Sequence, residues 1–274
     1  MAIITVSRGT YTGGQTVAQQ LAERLGFECL SREELMEAST KKYGLPIEKF
    51  RDAMDKPPTF WERLINEREI YLNFFRAGLR ERARLDNLVF HGFVGHLLLP
   101  KASHIIKIRI VENLETRIQR AMERHKLDRA GAKSHIEKTD KERAEWMRFL
   151  WGVNWYDASL YDAVLNLERL GIEGACDVII RMAEQQAFAK TEDSQKVMDD
   201  AALISRVWVA LATDPSTGGA NLKVDGSDGA IVVTGTVESD ELQDAVVAVA
   251  RRVDGVKAVE CRLKVRPPIY DIGL

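Results

Sequence analysis

The chain has 274 residues, of which 45% are hydrophobic and 29% are charged. This composition is typical of a folded globular protein, and the length predicts about two domains. The 39 Lys and Arg residues nearly balance the 41 Asp and Glu residues, which argues against a nucleic-acid partner. No apolar run is long enough to form an integral membrane segment, and the N-terminus shows no secretory leader, so we expect a cytoplasmic protein.

The first part of the chain alternates strand-like and helix-like segments. Strands are predicted at 3–6, 27–30, 88–90, 105–110 and 163–166, and helices at 17–25, 60–85, 112–126, 134–149 and 172–186. Within the helix at 60–85, Trp61, Leu64 and Ile65 are among the apolar side chains available for packing. Alternation of this kind predicts an α/β domain over residues 1–186, with a parallel sheet and helices on both faces.

The pattern changes after a polar stretch at 187–198, which we interpret as a linker. Residues 199–266 then show an amphipathic helix, two short strands, a second helix and a final alternating strand. This αββαβ order predicts a small α+β domain, followed by a C-terminal tail at 267–274. Three scattered cysteines, with no C-x-x-C pair, give no sign of a disulfide framework or a structural zinc site.

The strongest chemical signal is a glycine-rich loop from Gly9 to Thr16, placed between the first strand and the first helix. It resembles the phosphate-binding pattern G-x-x-x-x-G-K-[ST], with Gln15 where lysine is expected. Glycines let the backbone approach a phosphate, and the helix N-terminus supplies N–H donors. Thr16 is the candidate magnesium ligand, and Arg8 is a candidate source of the missing charge. The candidate nucleotide-binding residues are Arg8, Gly9, Thr12, Gly13, Gly14, Gln15, Thr16 and Val17. A plain strand-to-helix turn is the alternative interpretation of the loop.

Three segments in order extend this signal. They read ITVSRGTYTGGQTVAQQLAERLGFECLSREEL, IIKIRIVENLETRIQRAMERH and TDKERAEWMRFLWGVNWYDASLYDAVLN. Together they resemble the cytidylate-kinase-like branch of the nucleoside monophosphate kinases, over roughly residues 1–186. The resemblance implies a P-loop kinase fold. It also implies magnesium-dependent transfer of the γ-phosphoryl group of ATP to a nucleoside monophosphate, with CMP or dCMP favoured.

The resemblance also implies roles for single residues. Gly9 to Thr16 would wrap the ATP phosphates. Asp140 and Arg143 would be catalytic residues of the lid, with Arg143 neutralising charge on the transferred phosphoryl group. The implied substrate-binding residues are Arg32, Arg109, Arg117 and Asp162, the last near the end of the final strand. Each arginine also has a plain alternative as part of a solvated helix face.

The sequence departs from the family pattern at several positions. Cytidylate kinases carry D-G-R-D after the third strand, where this chain has His91-Gly92-Phe93-Val94. Ser31 replaces the usual Asp before Arg32, and Gln15 replaces the loop lysine. We favour the enzyme. These departures leave two alternatives open: a catalytically impaired nucleotide sensor, and a scaffold without nucleotide affinity.

Residues 199–266 resemble a BON domain. The matching features are D-G-x-x-x-V-x-G-x-V at 228–237, in approximate form, and V-D-G-V-K-A-V at 253–259. Glycines at 229, 235 and 255 suit tight turns. We expect a regulatory module or one that binds a protein partner or a second copy of the chain, with a small-ligand sensor as the second choice.

Overall fold

The computed structural model of the protein describes residues 2–55 and 67–265. The chain divides into an N-terminal unit, Met1–Gln195, and a C-terminal unit, Lys196–Leu274. The boundary between them falls inside the predicted linker at 187–198, and this segment is helical from Glu192 onward. Trp61, Leu64 and Ile65 of the predicted 60–85 helix lie outside the described residues. None of the described helices combines the length and the apolar character that a membrane span requires.

The N-terminal unit is built on a parallel five-stranded sheet with the strand order β2-β3-β1-β4-β5. The strands are β1 (Ile3–Arg8), β2 (Glu28–Ser31), β3 (Leu88–Gly92), β4 (Ile105–Val111) and β5 (Ala163–Asn166). The helices are α1 (Gly14–Leu25), α2 (Arg32–Tyr43), α3 (Ile47–Asp55), α4 (Glu67–Ala83), α5 (Gly95–Leu98), α6 (Leu114–His125), α7 (Arg129–Trp151) and α8 (Leu167–Ala183). The predicted α/β class, with helices on both faces, is confirmed.

Alternation along β1 divides its side chains between the two faces of the sheet. Ile4 and Val6 join the apolar core formed with α1 and α8, where Val17 and Leu21 are fully buried. On the opposite face, Phe90 of β3 packs edge-on against Phe75 of α4. Both faces are therefore covered, and the carboxyl ends of the strands form the edge at which α1 begins.

The C-terminal unit contains the later turns of α9 (Glu192–Thr213), then β6 (Asn221–Ser227), β7 (Ala230–Val237), α10 (Asp240–Arg251) and β8 (Ala258–Val265). Strand β7 lies between its neighbours, antiparallel to β6 and parallel to β8. Leu203 and Val207 of α9 pack with Val233 and Val246 in a separate core. The predicted αββαβ order is confirmed.

The predicted place of Asp162 relative to the last strand was wrong. Asp162 was expected near the end of the last strand, but it immediately precedes β5. Its carboxylate accepts a hydrogen bond from the backbone N–H of Lys107 at 2.7 Å, and its own N–H donates to the Lys107 carbonyl at 2.8 Å. Because ligands of open parallel sheets bind outside the carboxyl ends of the strands, Asp162 lies at the opposite end of β5 from that edge, and its predicted substrate-binding role stays a prediction.

Candidate functional site

The glycine-rich loop joins the carboxyl end of β1 to the first turn of α1. Gly13 is the N-cap of α1, with no side-chain cap and no acidic residue in the first turn. A Cβ added to Gly13 would lie 2.7 Å from Leu167, and one added to Gly14 would lie 2.7 Å from the Cβ of Arg8. A larger residue at Gly14 would therefore collide with the start of the Arg8 side chain, whereas one at Gly13 would have to displace the end of the Leu167 side chain. The first amides of α1 have no intrahelical acceptor, which makes this helix end suited to an anion.

The other predicted loop residues divide between the surface and the core. Gln15 and Thr16 are exposed on the first turn of α1. The Thr12 hydroxyl donates to the Gly9 carbonyl at 3.2 Å and closes the loop on itself. Val17 is fully buried, and its N–H donates to the Gly13 carbonyl at 3.0 Å. Val17 consequently holds α1 in place and has no free group to offer a nucleotide.

Thr10 joins the loop to a hairpin formed by α6 and α7, whose helices pack through a small apolar core. Its hydroxyl donates to Asp140 Oδ1 at 2.8 Å and accepts from Arg143 Nη1 at 3.0 Å. Arg117 Nε donates to the Thr10 carbonyl at 2.8 Å, and Arg117 Nη2 pairs with Asp140 Oδ2 at 2.6 Å. The structure thus brings Arg117, Asp140 and Arg143 together on the loop. Thr10 itself was missed, since nothing in the loop pattern singles it out.

A second carboxylate also reaches the loop. Glu112 directly follows β4, and its side chain is only 6% exposed. Its Oε2 accepts from the Gly13 N–H at 3.2 Å, while Arg120 of α6 binds both carboxylate oxygens. Arg120 also donates to the Tyr11 carbonyl at 3.3 Å. Glu112 was not predicted, because its partner on the loop is 99 residues away in sequence.

Positive charge continues from the loop toward β2. Burial lowers the pKa of Arg8. The neighbouring Glu33 acts to raise this pKa, whereas the positive charges of Arg32 and Arg124 lower it further. Arg8 pairs with Glu33 at 3.3 Å, and Arg32 Nε lies 3.4 Å from the same carboxylate. Arg8 therefore lies beside the loop as predicted, with Glu33 partly neutralising the Arg8–Arg32 pair.

The stretch that replaces D-G-R-D is buried. Phe93 has Arg32 and Arg143 over its ring, each guanidinium carbon 5.3 Å from the centroid, and the edge of Trp146 at 5.1 Å. Such cation–π contacts hold guanidinium groups in place without neutralising them. Burial, with Arg8 adding to it, lowers the pKa of His91 to about 4, although Glu33 and Glu34 act to raise it. His91 is therefore neutral near pH 7 and cannot replace a magnesium-binding carboxylate by charge.

Arg109 is enclosed by aromatic rings. Its guanidinium carbon lies 4.6 Å from the Trp155 centroid, 5.0 Å from Tyr156 and 5.6 Å from Tyr161, and it donates to the Trp155 carbonyl. The residue is 7% exposed. These contacts give Arg109 a packing role, and its predicted contact with an acceptor phosphate stays a prediction.

The two units match two different family models. Residues 3–169 match the model of the cytidylate kinase-like family, and residues 199–267 match the model of the BON domain. The chain is 25% identical over 173 residues to a cytidylate kinase of Methanothermobacter thermautotrophicus, covering 63% of this chain and 99% of that one. It is 27% identical over 168 residues to a cytidylate kinase of Methanopyrus kandleri, covering 61% and 85%.

A crystal structure of an uncharacterized protein from Eubacterium ventriosum shares the fold, with a TM-score of 0.54 and 22% identity. The match covers 68% of this chain and all of the other. The family match includes the loop, β4 and the α6–α7 hairpin. The chain belongs to the cytidylate kinase-like family, and it carries a BON domain after the kinase-like unit.

Proposed function

We propose that the N-terminal unit transfers the γ-phosphoryl group of ATP to a nucleoside monophosphate, with CMP or dCMP as the preferred acceptor. The observation that carries this proposal is the placement of Arg117 and Arg143 on Thr10 of the glycine-rich loop. Phosphoryl transfer demands positioning and positive charge more than covalent chemistry, because negative charge spreads over the transferred oxygens. The names of the relatives support the choice of acceptor.

The residues divide the work as follows. The amides at the start of α1 would hold the donor phosphates, and Arg143 would contact the group in flight. Asp140 already accepts from Thr10 and Arg117. It therefore acts as a positioning residue that holds Arg117 and the loop, in place of the catalytic role implied by the family resemblance. Arg32, whose guanidinium carbon lies 5.3 Å from the centre of the Phe93 ring, would contact the acceptor phosphate.

The start of α1 suits a polyphosphate, because its first amides have no intrahelical acceptor and its first turn carries no acidic residue. Fewer side chains are available to bind magnesium. Glu112 and Asp140 are both held by arginines, and Thr16 offers an exposed hydroxyl. Magnesium keeps several waters and binds readily through substrate phosphates. We therefore expect the ion to arrive with ATP, to be held by its phosphates and Thr16, and to polarise the transferred group.

The test is ADP release from Mg-ATP with CMP, dCMP, UMP, AMP and GMP, for wild type, Arg143→Ala and Arg148→Ala. Both arginines lie on α7, and Arg148 is exposed. We expect acceptor-dependent release that falls by about 10³-fold or more in Arg143→Ala and is unchanged in Arg148→Ala. Gly14→Val is a poorer control, because its Cβ would collide with Arg8. Equal turnover in Arg143→Ala, or no release by folded wild type, would contradict the proposal.

A second candidate is a nucleotide sensor without transfer activity. The neutral residues Gln15 and His91, at positions where the family pattern has charge, favour it. This candidate predicts that ATP raises the melting temperature while no ADP forms with any acceptor. An unchanged melting temperature in millimolar ATP would contradict both candidates and leave a scaffold role.

For the C-terminal unit we propose a regulatory or self-association role. The outer face of its sheet is polar, with Lys223 on β6 and Glu260, Arg262 and Lys264 exposed on β8. Light scattering of the full chain over a hundredfold concentration range tests self-association. A monomer mass throughout would rule it out and leave regulation through another partner.

A further inference from the structure

Glu112 places a negative charge where the loop would bind a phosphate oxygen. Its Oε2 lies 3.2 Å from the N–H of Gly13, the residue that caps α1. The helix has no acidic residue of its own in the first turn. Since a helix N-terminus favours a nearby anion, Glu112 supplies from β4 the charge that α1 lacks.

Arg120 completes this arrangement. It binds both oxygens of Glu112 and donates to the Tyr11 carbonyl of the same loop. The carboxylate is buried, whereas the side chain of Arg120 is 39% exposed. The Glu112 carboxylate therefore occupies the position expected for a phosphate oxygen, because it accepts from both a loop amide and an arginine.

We propose that Glu112 competes with a nucleotide phosphate for the Gly13 amide and for Arg120, and so sets the affinity of the loop for nucleotides. This inference rests on the proposed nucleotide-binding function. A phosphate that takes the Gly13 amide displaces the carboxylate, and Arg120 then turns from Glu112 to the incoming anion. Affinity is lowered by the free energy of the contacts that must be broken first.

The role of Glu112 can be tested without disturbing the contacts of Thr10 with Asp140 and Arg117. Asp140 holds Thr10 and Arg117 together, so its removal would disturb several contacts at once. Within the described residues, Glu112 meets the loop through one amide and has one arginine partner. Because Arg120 is partly exposed, water can solvate its guanidinium when the carboxylate is removed, and the variant is expected to fold.

The experiment measures dissociation constants by titration calorimetry for tripolyphosphate and for Mg-ATP. The variants are Glu112→Ala, which removes the acceptor, and Glu112→Gln, which removes only the charge. The matched control is Glu115→Gln. Glu115 lies three residues away, is 55% exposed and pairs with Arg129 at 2.8 Å. Each Gln variant deletes one negative charge within residues 112–115, so the control reports the effect of removing a charge without removing the contact with Gly13.

We expect Glu112→Ala to bind both ligands about tenfold more tightly or better, because a charge-assisted hydrogen bond no longer competes. Glu112→Gln should show a smaller gain, and Glu115→Gln should match wild type. Equal or weaker binding by Glu112→Ala would overturn the inference and make Glu112 a support for the loop. An equal gain in Glu115→Gln would also overturn it. If none of the folded proteins binds either ligand, the proposed function fails as well.

Discussion

Replacing His96 by Phe should make the protein more resistant to acid. His96 lies on α5, is 6% exposed and packs against the Tyr161 ring with centroids 4.7 Å apart. Within the described residues, neither of its ring nitrogens has a hydrogen-bond partner. Burial, with Lys107 and Arg109 adding to it, lowers the pKa of His96 to about 3. The imidazole therefore stays neutral in the folded chain under conditions where the unfolded chain protonates it.

The magnitude follows from the two pKa values. The unfolded value is 6.5 and the folded value is lower, so the unfolded state binds more protons and stability falls as pH drops from 6.5 toward 3. At pH 5, about 1.5 pH units below the unfolded value, the loss is about 2 kcal/mol. This figure does not depend on how far below 5 the folded pKa lies. It is a large part of a stability that is typically about 5–15 kcal/mol.

Urea unfolding at pH 8 and pH 5, followed by circular dichroism, measures the effect. At pH 8 both forms of residue 96 are neutral, so the difference between variants there reports packing alone. Between pH 8 and pH 5, wild type should lose about 2 kcal/mol more than His96→Phe. The variant still loses stability, because the pKa values of His91 and His104 are also lowered by burial. Equal losses in the two proteins would refute the reasoning.

Two further predictions concern stability. Lys190→Met should destabilise the N-terminal unit by about 3 kcal/mol in denaturant titrations. The reason is that the Asp86 carboxylate, 5% exposed, loses its ammonium partner. A loss below about 1 kcal/mol would show that His104, 3.5 Å from Asp86, is sufficient to stabilise the buried carboxylate. Gly235→Ala should cost about 1–3 kcal/mol, because its φ is +148° and a Cβ would overlap the Asn221 carbonyl oxygen. Faster amide exchange in β6 and β7 checks this, and unchanged exchange would contradict it.

The strands could be predicted because apolar β-branched residues cluster in them, as at Ile105–Val111. Helices α2 and α3 were missed. In α2 the buried positions include Arg32 and Ser39, so hydrophobicity does not mark the buried face. The Ser31–Glu34 capping box was a local signal for its start that the pattern of apolar residues does not use.

Some residues of the candidate site could likewise be predicted from the sequence, and others could not. The loop is visible because its glycines are local, and the arginines of α6 and α7 are visible through the family pattern. Thr10 and Glu112 act through partners 130 and 99 residues away in sequence, which no local pattern encodes. Asp162 shows the opposite error. The limits of its strand were predicted correctly, yet the residue lies at the amino end, away from the edge where α1 begins.

Helix α7 contacts both the glycine-rich loop and α3. Asp140 near its middle holds Thr10, and six residues further on the Trp146 indole N–H donates to the Ala53 carbonyl of α3 at 3.1 Å. Because α7 is one continuous helix, a swing that releases the loop also strains the contact with α3. We therefore expect the two contacts to be lost together. Trp146 is 1% exposed, so its transfer into water would shift its emission to the red and let a stopped-flow instrument time that event.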